Sequence, residues 1–89
     1  MNGLERIAVE RKRQIEEEGF NLGHDLEHDN GQLAAAGACY ALTSWSLTDA
    51  ERLFPLEFGC LKISENRIRN LEKAGALIAA EIDRLQAIK

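Results

Sequence analysis

His24 and His28 stand four residues apart in the stretch GHDLEHDNG, residues 23–31, with Asp25, Glu27 and Asp29 around them. On a helix that spacing puts two imidazoles on one face. Imidazoles among carboxylates can hold a metal, pass a proton or cross-link neighbouring elements through hydrogen bonds. Asp29, with Gln32 three residues on, also reads as a capping pair, which makes the stretch a polar helix entrance. The other candidates are cations and rings. Arg11 and Arg13 lie in ERKRQ, and Lys62 belongs to a second basic group with Arg67, Arg69 and Lys73. Phe20 and Trp45 supply flat apolar surfaces. The basic groups could hold a small anionic ligand locally.

Catalytic patterns fit less well. HDLEH differs from the zinc-protease pattern HExxH at its second position, where Asp25 replaces the glutamate that acts as base. Cys39 and Cys60 lack zinc-ligand spacing, so no metal and no cofactor are expected. A MazG-type nucleotide pyrophosphohydrolase needs carboxylates at helical spacing on two helices to hold magnesium against a triphosphate. Glu16, Glu17 and Glu18 are contiguous, and Glu81 and Asp83 are two apart, so the acids are present in the wrong register. That enzyme stays as an alternative. No serine is tied to a histidine by a known signature, and no Gly-rich phosphate loop is present.

The elements that position these residues are read as helices. With 89 residues the chain is expected to form a single helical domain over residues 1–89. Its 45% hydrophobic and 29% charged content is that of a globular chain. The net charge of −4 argues against duplex nucleic acid, because phosphate contacts need clustered cations. No apolar run approaches the roughly 18 residues of a membrane span, and the charged start is not a signal peptide, so a cytoplasmic location is expected. Cys39, in LAAAGACYAL, reads as a reduced, buried thiol.

The first helix is predicted over Gly3 to Glu18, opened by an Asn2/Glu5 capping box and closed by Gly19. Leu4, Ile7, Ala8, Arg11 and Ile15 trace its apolar face, and Glu16 to Glu18 read as solvated. Phe20 to Asn30 is predicted as a loop or a single turn, with Phe20 turned inward. A second helix, Gly31 to Leu42, is small nearly all round and is expected at the centre of the bundle. Thr48 to Glu51 reads as a capping box for a short helix that ends near Phe54. Trp45, Phe54 and Phe58 form either a satellite cluster or the wall of a pocket. A last helix is predicted from a Ser64 cap to about Ala87. Ile68, Leu71, Gly75, Ile78, Ile82 and Leu85 make a heptad-like seam along it, with Ala74, Leu77 and Ala80 alongside. The fold class is therefore all-α: a small helical bundle of three main helices and one short helix. The long C-terminal helix is expected to build a homo-oligomer.

ERKRQIEEEGFNLGHDLEHDNGQLAAAGACYAL and NRIRNLEKAGALIAAEIDRL together cover more than half the chain. They resemble a family of small phage and prophage proteins that read ERxRQIxxEGW, HDxxH, GxLAxAAxCYA and KAGALIxAEIxRL in that order. Phe20 stands where a tryptophan is usual, and FPLEFGCLKI lacks tryptophans often found there. Arg13-Gln14-Ile15, Gly19-Phe20, Gly23 and Asp25 are also similar, more distantly, to the ryanodine-receptor repeat (RyR) domain. That likeness implies recognition of a nucleotide-derived ligand by Arg13, His24 and a nearby aromatic. The phage setting implies stoichiometric binding in the host cytoplasm. Two modes follow as expectations, both non-enzymatic: counter-defence sequestration of a nucleotide-derived signal, and occlusion of a host defence or nucleic-acid protein. The ligand-binding candidates are Arg11, Arg13, Phe20, His24, His28, Trp45 and Lys62.

Overall fold

The computed structural model describes residues 1–88. Its helices are α1 (Gly3–Glu18), α2 (Leu22–Leu26), α3 (Gln32–Leu42), α4 (Leu47–Leu53) and α5 (Arg67–Ala87), with a 3₁₀ turn at Leu56–Phe58. The all-α class holds. The bundle of three longer helices carries two short α-helices rather than one.

Local chemistry sets most boundaries. Asn2 accepts from the Glu5 N–H at 2.9 Å and its own N–H donates to the Glu5 carboxylate at 2.8 Å, so the predicted capping box opens α1. Gly19, at φ 72°, closes it. α2 is the predicted turn, capped by the Asn21 side chain on the His24 N–H.

Three expected caps move. Asp29 does not cap α3. Gly31 takes that position at φ 83°, in the left-handed region that favours glycine, while the Gln32 side chain accepts from the Asn30 N–H. Ser46 replaces Thr48 at α4, bonding the Asp49 N–H and carboxylate. Asn66 replaces Ser64 at α5. Ser64 instead exchanges two hydrogen bonds with the buried Asn70 side chain, at 2.8 and 2.9 Å, which tightens the approach to α5.

The central helix is α5, not the Ala-rich α3: α1, α2 and α3 all pack on it, and α4 packs on α3. Small side chains allow this. Ala74, Leu77 and Ala80 are buried along α5, and Leu33, Ala36 and Cys39 meet them from α3, with Tyr40, Ala50 and Phe54 completing the core. Cys39 is buried as expected, and burial pushes its thiol up, away from the reactive thiolate. At Gly37 an added Cβ would lie 3.0 Å from the Ala74 carbonyl oxygen, so α3 and α5 approach at backbone contact.

Two helical faces differ from their sequence pattern. On α1 the buried residues are Glu10 and Gln14, each 3% exposed, while Leu4 and Ile15 face solvent. On α5 the core is met by Asn70, Ala74, Leu77, Ala80 and Arg84. The heptad-like seam lies to one side, covered at Gly75 by Ile7 of α1 and half-exposed at Ile68, Leu71, Ile78, Ile82 and Leu85.

Candidate functional site

The polar inner edge of α1 explains itself once its neighbours are in place. Glu10 receives the Arg13 guanidinium twice, from Nε and Nη2, both at 2.8 Å. Arg69 of α5 reaches the same carboxylate at 2.7 Å, and Gln14 Nε2 donates to it at 3.3 Å. Burial alone would raise the Glu10 pKa. The Arg13 and Arg69 hydrogen bonds overcome that and hold it at about 2. Gln14 Oε1 is buried without a hydrogen-bond partner among the described residues, an uncommon state for a buried amide.

These residues form one wall of a pocket of about 250 Å³ between α1, α3, α5 and the 54–62 segment. Phe20, Tyr40, Phe54 and Phe58 bring aromatic surface to it. Tyr40 meets Phe54 edge-on at 5.8 Å. The Tyr40 hydroxyl, which the sequence leaves in want of a partner, accepts the Lys62 N–H at 3.2 Å. Burial pushes the Tyr40 pKa up and keeps the ring neutral.

Charge in the pocket is unbalanced. Arg13, Lys62, Arg69 and Lys73 line it against Glu10 and Glu18, leaving two positive charges in excess. Arg13 also reaches Glu18 at 3.2 Å. Lys62 and Lys73 make no ion pair among the described residues. Lys73 instead donates to the Lys62 carbonyl at 2.7 Å and lies 5.4 Å from the centre of the Tyr40 ring. Burial, with Arg69 beside it, lowers its pKa. A desolvated ammonium in a positive field is stabilised by an incoming anion.

Of the sequence candidates, Arg13, Phe20 and Lys62 meet in this pocket. Arg11 does not: its guanidinium holds buried Asp25 at 3.0 Å, the Phe20 carbonyl at 2.8 Å and Asp83 at 3.5 Å. It fastens α1, α2 and α5 together. Trp45 is 90% exposed and lines no part of the pocket. His24 and His28 stand behind the aromatic wall, with His24 stacked on Phe20 at 4.6 Å and 8° and His28 packed 4.7 Å from Phe58. Glu10, Gln14, Glu18, Tyr40, Arg69 and Lys73 are among the lining residues outside the candidates. The i, i+4 pairs Glu10/Gln14 and Arg69/Lys73 put each set on one helix face, and that spacing was the available signal.

The carboxylates of the pyrophosphohydrolase alternative do not converge. Glu81 binds Arg84 at 2.6 Å, Asp83 turns to Arg11, and Glu16 and Glu17 are exposed. Among the described residues no three His, Cys, Asp or Glu side chains gather at a metal-sized position. No described helix is long and apolar enough to cross a membrane. Comparison with protein-family models, curated proteins and solved structures finds no match to this chain.

Proposed function

We propose that the protein is a non-enzymatic binding module whose α1–α3–α5 pocket takes a small, anionic, ring-bearing ligand of nucleotide type. The observation that carries this reading is the pair of lysines, Lys62 and Lys73, without carboxylate partners among the described residues and beside four aromatic side chains. The ammonium groups suit a phosphate, and the rings suit a base. At about 250 Å³ the pocket lies just under the span of drug-sized sites, which begin near ~300 Å³, and suits one nucleotide unit better than two. The likeness to phage proteins gives such a module a role in sequestering a nucleotide-derived signal during counter-defence. The half-exposed seam on α5 supports a homo-oligomer as the working form.

The test is a thermal-shift panel of mononucleotides and cyclic dinucleotides at up to millimolar concentration. A binding ligand raises the melting temperature in proportion to its occupancy. Lys73→Met should remove most of the shift while preserving helicity. The affinity should also fall as pH rises, because Lys73 loses its charge below the pH at which an ordinary lysine does. No shift with any nucleotide at millimolar concentration sinks this reading.

A further inference from the structure

The geometry points to a second site on the far side of the Phe20/Phe58 wall: an open two-histidine seat for a borderline transition-metal ion, formed by the Nε2 atoms of His24 and His28. This departs from the sequence expectation of no metal, and it is independent of the pocket.

His24 Nδ1 lies 3.0 Å from Asp25 Oδ1, and His28 Nδ1 lies 2.6 Å from Glu57 Oε2. An ionised carboxylate can only accept, so each Nδ1 carries the hydrogen and donates it. In a neutral ring the other nitrogen is then a bare acceptor. The two Nε2 atoms nevertheless face each other at 3.3 Å. Two lone pairs at that distance repel unless a proton or a metal ion stands between them.

The separation admits a metal ion as well as a shared proton. The ring centres are 4.7 Å apart, the nitrogens 3.3 Å, and the ring planes are inclined at 59°. The rings lean together and leave both Nε2 atoms beside a common point. Two imidazole nitrogens bound at about 2.0–2.1 Å in tetrahedral geometry lie about 3.3–3.4 Å apart.

The supporting shell is built. A carboxylate on the distal ring nitrogen fixes the tautomer and raises the basicity of a histidine ligand. Asp25 does this for His24 and is itself fully buried and held by Arg11 at 3.0 Å. Glu57, at the 3₁₀ turn, does it for His28. Stacking on Phe20 and packing against Phe58 restrict both rings. No third side-chain ligand is within reach among the described residues, so water or an added ligand completes the coordination. The His24 side chain is about one-quarter exposed, which leaves a route for the ion. Imidazole donors select Zn²⁺, Cu²⁺ or Ni²⁺ over the oxygen-seeking Mg²⁺ and Ca²⁺.

The test uses the full chain carrying Cys60→Ser, because exposed Cys60 is a competing thiol ligand. Chelator-treated protein is titrated with Zn²⁺ by calorimetry and with Cu²⁺ by visible absorption. We expect one ion per chain at submillimolar concentration, an imidazole–copper absorption band, and a raised melting temperature. His24→Gln and His28→Gln should each lower affinity at least tenfold. Glu57→Gln, which leaves both ligands in place, should weaken it by about 10–100-fold. Circular dichroism of each variant confirms the fold. If His28→Gln unfolds the chain, His24→Gln and Glu57→Gln carry the comparison. No binding at 1 mM metal, or binding unchanged in the folded histidine variants, overturns the proposal and leaves a shared proton between the rings.

Discussion

Glu10 is a charged residue in a position where α1 would ordinarily place an apolar one. Its carboxylate is 3% exposed, yet two guanidiniums and an amide reach it. Its pKa falls from 4.5 to about 2. The pair's contribution is therefore fully present above pH 4.5 and is lost as pH falls from there towards 2. The shift corresponds to about 2–3 kcal/mol after allowance for the partly solvated Arg13 and Arg69. Glu10→Gln should lower the free energy of unfolding by about that amount at pH 7. In urea titrations the gap to wild type should close progressively below pH 4.5. A gap that persists at pH 2, or none at neutral pH, would show that the carboxylate does not hold these cations. The residue types around Glu10 were legible in the sequence, and so was their i, i+3, i+4 spacing. Their burial was not, because apolar periodicity assigns the buried face to Leu4, Ile7 and Ile15.

At the scale of elements, the close approach of α3 to α5 holds the two core helices together. Gly37 controls that approach. An added Cβ would lie 3.0 Å from the Ala74 carbonyl oxygen, 3.1 Å from Ile78 Cγ1 and 3.4 Å from Leu77 Cβ. Alanine is the better helix former by about 1 kcal/mol. Overpacking costs about 1–3 kcal/mol, and here the obstacle is helical backbone that can move only with the whole of α5. Gly37→Ala should therefore destabilise by about 1 kcal/mol net and lower the melting temperature by roughly 4–8 °C. A higher melting temperature would mean that the helices can separate without penalty. The sequence signalled close approach here through the small residues of QLAAAGACYAL. It did not signal which helix would be central, since both α3 and α5 are rich in alanine and only α5 is long enough to meet three partners.

At the scale of the whole molecule, the α5 seam is an apolar row left half-exposed. Ile68, Leu71, Ile78, Ile82 and Leu85 keep their three-and-four spacing and are each about half exposed. A second copy would cover them with the same surface in reverse, as a two-fold dimer requires. If the proposed oligomer forms through this row, Ile78→Asp combined with Ile82→Asp should give a monomer in sedimentation equilibrium, with helical content retained. A monomeric wild type at high protein concentration would remove the oligomer from the reading. The sequence by itself determined the all-α class, the limits of α1, the turn after Gly19 and the burial of Cys39. Each depends on backbone propensity, capping or spacing within a few residues. Tertiary structure alone decided that Glu10 and Gln14 turn inward, that Arg11 clamps three helices and that Trp45 stands free. It also decided that GHDLEHDNG brings two imidazoles together behind an aromatic wall. These outcomes follow from the rotation of each helix about its axis, which is set by close packing against residues distant in the chain.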